Sequence, residues 1–120
     1  MTKALVVDDE EEICDFLAAV LEEMNCEVQV AISGEEALRK VESWEPSIAV
    51  VDLRLSTRAT GLDVIRTLRE KFPKAAVLAM TGYVDVALRQ QAESLGVQSF
   101  LEKPDDLKPD RFKKKVEAFL

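Results

Sequence analysis

Short apolar runs rich in β-branched residues alternate five times with segments whose apolar residues recur at helical spacing, and no other feature of the chain restricts its fold as much. Residues 3–7 read as a buried strand, and in residues 10–24 Ile13, Leu17, Val20, Leu21 and Met24 mark one face of a helix. Residues 27–32 read as a second strand. Ser33 caps a helix reaching about residue 43, with Glu36 completing a capping box and Pro46 closing the region. Residues 48–51 form a third strand that stops at Asp52, residues 62–72 a helix, and residues 75–80 a fourth strand ending at Thr81. Residues 84–95 read as a helix with Gly96 as its left-handed cap. A fifth strand, 99–101, precedes Lys103-Pro104, and a last helix begins at Asp106 or Asp110. Parallel strands need a crossover, so this order predicts an α/β fold: a doubly wound five-stranded parallel sheet covered on both faces.

A chain of 120 residues, 48% hydrophobic and 32% charged, has the size and composition of one domain with one core. Its net charge of −7 argues against direct nucleic-acid contact, which draws on neutralising phosphates with Lys and Arg. The sequence contains no histidine, which removes the commonest zinc ligand, the Ser/His/Asp and Cys/His nucleophile systems, and a phosphohistidine carrier role. Cys14 and Cys26 each lie in an apolar stretch and read as reduced core thiols. No stretch approaches the roughly 20 apolar residues of a membrane span or the apolar core of a secretory leader, so the expected location is cytoplasmic, with no membrane partner.

In a doubly wound sheet the ligand site lies outside the carboxyl ends of the strands. Asp8 and Asp9 follow the first strand, Asp52 ends the third, Thr81 ends the fourth and Lys103 follows the fifth, so all five are expected on one edge. Taken singly, each is ordinary punctuation, because Asp and Thr are common helix caps and Lys-Pro suits a turn. Taken together they form a chemical set. Converging carboxylates need a cation, and a hard, oxygen-rich site suits Mg2+. Lys103 adds a fixed positive charge and Thr81 a short hydroxyl donor, which fits the electrostatic demands of phosphoryl transfer.

Over nearly its whole length the chain resembles the receiver domain of two-component response regulators. The resemblance is carried by Leu5-Val6-Val7-Asp8-Asp9-Glu10, Val50-Val51-Asp52-Leu53, Met80-Thr81-Gly82 and Phe100-Leu101-Glu102-Lys103-Pro104, with Gly96 at its spacing before the last strand. It implies one receiver over residues 1–120 with a flavodoxin-like (βα)5 sheet in strand order 2-1-3-4-5. It further implies that Asp52 is the phosphoacceptor and that Asp9, Asp52 and the backbone carbonyl of Arg54 hold Mg2+ directly. Asp8 would act mainly through metal-bound water, and Lys103 would pair with the phosphoryl group. The implied donor is a sensor histidine kinase or phosphotransfer protein, and the implied output is a downstream effector domain or protein. Thr81 and Phe100 take the switch positions. The implied role is a phosphoacceptor signalling domain that assists its own phosphorylation and dephosphorylation rather than an enzyme. Two other readings remain open: an interaction scaffold that works without phosphorylation, and a Mg2+-dependent phosphohydrolase with a carboxylate nucleophile. The adjacent Asp8-Asp9 pair and a nucleophile after the third strand argue against the latter.

The chain departs from the family pattern between Asp52 and Gly61, where Ser56 replaces the usual proline and the loop is one residue longer. A less rigid loop is the expectation. Arg54 and Tyr83 stand two residues beyond Asp52 and Thr81, where bulky side chains could set the lifetime of a phosphorylated state. The last helix sets Arg111, Lys113, Lys114 and Lys115 opposite Phe112, Val116 and Phe119, a candidate docking surface.

Overall fold

The computed structural model describes residues 1–82 and 85–120. Five strands, β1 (Thr2–Val7), β2 (Cys26–Ala31), β3 (Ile48–Asp52), β4 (Ala76–Gly82) and β5 (Ser99–Lys103), pair in parallel in the order β2-β1-β3-β4-β5. Between and after them run α1 (Glu11–Glu23), α2 (Gly34–Lys40), α3 (Gly61–Lys71), α4 (Val86–Ser94) and α5 (Pro109–Glu117). This is the doubly wound sheet that the alternation predicts.

The pleat sorts alternate strand residues into two cores. Ala4, Val6, Ile48, Val50, Leu78 and Met80 face one side, where they meet Leu17 and Leu21 of α1 and Phe112 and Val116 of α5. Their neighbours Leu5, Val7, Ala49, Val51, Val77 and Ala79 face the other, against Ala37 of α2, Val64, Ile65 and Leu68 of α3, and Ala92 of α4. Burial on both faces explains why the strands read as continuous apolar runs. Cys14 and Cys26 are buried free thiols, as their apolar settings imply. Burial pushes the Cys14 thiol up to about 12. No helix among the described residues is long and apolar enough to cross a membrane.

Several boundaries move from their expected places. The second helix ends at Lys40 rather than near residue 43, because the amides of Glu42 and Ser43 turn to the carbonyls three residues back, Arg39 and Lys40. The capping box expected at Ser33 is only half made: its hydroxyl accepts from the Glu36 amide at 3.0 Å, but the Glu36 carboxylate accepts from the amide of Ile32. A full reciprocal box occurs instead at α3, between Thr60 and Asp63. Strand β4 runs through Thr81 to Gly82, and Lys103 is the last residue of β5 rather than a residue beyond it. The chain after β5 makes a cis Lys103–Pro104 bond and a short 3-10 turn over Asp105–Leu107, and α5 then opens on Pro109. Gly96, at φ +83°, supplies the left-handed cap after α4.

Two glycines set how closely the elements around the carboxyl edge approach. A Cβ on Gly61 would lie 2.1 Å from the carbonyl oxygen of Asp52, and one on Gly34 would lie 2.2 Å from that of Ala59. Only a residue without a side chain lets α3 start against the end of β3, or α2 against the loop between them.

Candidate functional site

The register of β1 and β3 ends at Val7 beside Val51, so the next residues, Asp8 and Asp52, emerge side by side from the middle of the sheet. Both are buried. Two adjacent carboxylates in a dry setting repel unless a cation lies between them. Lys103 is that cation: its Nζ donates to Asp8 Oδ2 at 2.7 Å and to Asp52 Oδ2 at 3.1 Å. The remaining oxygens are also engaged, Asp8 Oδ1 by the amide of Glu10 and Asp52 Oδ1 by the amide of Arg54, each at 2.9 Å.

Burial holds the Asp8 carboxyl above its usual range, more than the Lys103 hydrogen bond draws it down, and the Asp52 charge adds to the rise. For Lys103 burial works downward, but the hydrogen bond to Asp8 and the Asp52 charge outweigh it and the ammonium is held above its usual value. Asp9 lies nearer solvent. Its Oδ2 accepts both the Ser56 hydroxyl, at 2.5 Å, and the Ser56 amide, at 3.0 Å, and the hydroxyl is the main reason its carboxyl sits below the usual range.

Asp8, Asp9 and Asp52 each offer an oxygen, and these atoms lie within 4.8 Å of one another. An all-oxygen, anionic donor set is the chemistry of a hard divalent cation, and the pocket fits one.

Thr81 is buried one residue past the point where β4 pairs with Asp52, and its hydroxyl donates to the Gly82 carbonyl at 3.0 Å rather than to the pocket carboxylates. Phe100 is half-buried on the second core, with the Arg89 guanidinium 4.3 Å from its ring centroid. The Arg54 side chain turns away from Asp52 to Asp85, whose Oδ2 accepts its Nε at 2.6 Å. Tyr83 lies outside the described residues.

The loop after β3 is tied down more firmly than its composition suggests. Ser56 holds Asp9, Thr57 Oγ1 accepts the Gly34 amide at 3.1 Å and donates to the Ala59 carbonyl at 2.7 Å, and the Ala59 amide donates to Glu35 Oε1. Serine at position 56 therefore brings anchors that a proline could not. Sequence reasoning singled out Ser56 as a departure and missed it as a neighbour of the acidic cluster, because 47 residues separate it from Asp9. On α5, Arg111 and Lys115 turn inward to the buried Asp106, and Lys113 pairs with Glu23 of α1. The row of charges is thus partly a set of internal ties.

Fold and pocket together define a flavodoxin-like α/β domain with a cation-ready acidic site at the carboxyl edge of its sheet. Comparison with known proteins narrows that class. The sequence matches the response regulator receiver domain family over residues 4–117, and the chain belongs to that family. It is 38% identical over 102 residues to the photosynthetic apparatus regulatory protein RegA of Rhodovulum sulfidophilum, covering 85% of this chain and 55% of RegA. It is 33% identical over 118 residues to the alkaline phosphatase synthesis transcriptional regulatory protein PhoP of Bacillus subtilis, covering 98% of this chain and 48% of PhoP. The chain thus spans about half the length of these curated relatives. Among solved structures, the receiver domain of NtrX from Brucella abortus superposes with a TM-score of 0.87 at 29% identity, covering 98% of this chain and 97% of that one.

Proposed function

We propose that this receiver, read as one domain over residues 1–120, is switched by transfer of a phosphoryl group to Asp52. The observation that carries the reading is the Lys103 ammonium bridging Asp8 and Asp52 within an acidic cluster at the sheet edge. The donor would be the phosphohistidine of a sensor histidine kinase or phosphotransfer protein. One Asp52 carboxylate oxygen attacks phosphorus, a new O–P bond forms as the P–N bond breaks, and the electron pair leaves with the donor imidazole. Lys103 stands where it can follow the charge onto the phosphoryl oxygens, and its raised pKa keeps it protonated. Asp9, Asp52 and the Arg54 carbonyl would hold Mg2+ directly. Asp8 would act mainly through coordinated water, the role that membership of the receiver family implies for it. When bound, Mg2+ would supply positive charge to offset the carboxylates and the oxygens of the group in transit.

The product carries close to two further negative charges and new acceptor oxygens. Thr81, whose hydroxyl now donates to a backbone carbonyl, would turn to donate to one of those oxygens, and Phe100 would follow into the space released. The altered surface would be read by a downstream effector domain or protein. Incubation with acetyl phosphate and Mg2+, followed by intact-mass measurement, tests the assignment. One phosphoryl addition to the wild type, lost in Asp52→Asn and in EDTA, is expected. Addition retained in Asp52→Asn would overturn it, and no addition to either protein would favour a scaffold that acts without phosphorylation.

A further inference from the structure

We infer that Ser56 is a positioning residue for the cation: it clamps Asp9 Oδ2 from two directions and leaves Oδ1 as the ligating oxygen. This rests on the reading of Asp9 as a metal ligand.

The three carboxylates are restrained unequally. Asp8 and Asp52 are fixed by burial, by Lys103 and by backbone amides. Asp9 lies beyond the sheet, nearer solvent, and without a partner its side chain would be free to rotate among staggered conformers. The Ser56 hydroxyl at 2.5 Å and amide at 3.0 Å both fall on Oδ2, whereas Oδ1 accepts no hydrogen bond from any other described residue. Two donors on one oxygen fix the plane of the carboxylate. The other oxygen, which Ser56 leaves unengaged, is available to a cation.

The clamp is itself supported. Thr57 and Ala59 dock the loop on the first turn of α2, and Gly34 allows the close approach that docking needs. Position 56 is thus held from the α2 side. A proline here would supply neither the amide nor the hydroxyl. Partners of this kind, behind a metal ligand, commonly govern affinity because they set the ligand's orientation before the metal arrives.

The experiment is a Mg2+ titration of the intact chain by amide NMR, with wild type, Ser56→Thr, Ser56→Ala, Ser56→Pro and Asp9→Asn. Thermal melts in EDTA confirm that each variant is folded. Ser56→Ala is expected to weaken Mg2+ binding about tenfold, Ser56→Pro at least as much, and Ser56→Thr to remain within about twofold of wild type. Rescue by threonine separates the hydroxyl's positioning role from a general effect on the loop. Asp9→Asn losing affinity while Ser56→Ala binds like wild type would overturn the clamp and leave the metal site standing. Unchanged affinity in Asp9→Asn would overturn the ligand assignment and the clamp with it.

Discussion

Asp8 and Asp9 are neighbours in sequence and opposites in environment. Asp8 extends β1 into the interior, where its amide still pairs with the Ala31 carbonyl and its side chain is fully buried against Lys103. Asp9 steps out of the sheet to the loop after β3, where a serine serves it. The carboxyl of the first is held above its usual range mainly by burial, that of the second below it mainly by a hydroxyl. Two identical side chains on successive residues thus meet charge by different means: a buried ion pair in one case, polar donors at the rim in the other. The edge of the sheet is therefore held by a buried ion pair on one side and by hydrogen bonds from a loop nearer solvent on the other.

Removing the shared cation should break this contrast most severely. Lys103→Met leaves Asp8 and Asp52 facing each other without a counter-charge, and urea denaturation in EDTA at neutral pH should show a loss of about 3 kcal/mol. The loss should shrink in acid as Asp8 takes up a proton. Loss of less than about 1 kcal/mol would mean that solvent already screens the pair.

Asp8→Asn should act in the opposite sense. A carboxyl held above its usual range in the folded state contributes stability below its unfolded pKa and loses it as pH rises through the raised value. At neutral pH the neutral variant should be more stable than wild type by about 1 kcal/mol in EDTA, with the gain disappearing toward the ordinary carboxylate range. A lower melting temperature at neutral pH would show that the bond to Lys103 outweighs the cost of burying the charge.

The finest probe is a carboxyl 13C titration of both residues. Asp8 should titrate above the usual aspartate value and Asp9 below it. Asp9 therefore supports the fold above its unfolded pKa and ceases to do so as pH falls through the lowered one. In Ser56→Ala the Asp9 transition should move up toward the ordinary aspartate value while that of Asp8 stays in place. Movement of both together would mean that the two environments are not independent.

The sheet was legible because burial on both faces leaves strands as unbroken apolar runs, and because each helix shows a stripe. Residues at strand ends then fall on one edge by topology alone, which is why Asp8, Asp52 and Lys103 could be gathered before any coordinates. What stayed hidden depended on contacts distant in sequence. The bonds from Ser56 to Asp9 and from Arg54 to Asp85 join residues 47 and 31 positions apart, a separation that no local pattern bridges. Local signals misled where two answers were chemically close. Ser33-x-x-Glu36 fits a capping box, but its glutamate reaches one residue further back, while Thr60-x-x-Asp63, which straddles the expected helix start at residue 62, closes the full box.

Gly61 carries a consequence for mutational space around the pocket. Any side chain at that position would collide with the carbonyl of Asp52, so the residue that begins α3 and the backbone of the residue at the centre of the site cannot drift independently. A library that randomises the intervening stretch can vary Arg58, which makes none of the anchoring bonds above, but has no neighbouring solution at position 61. The site's tolerance to sequence change is thereby bounded at a residue that contributes no functional group to it.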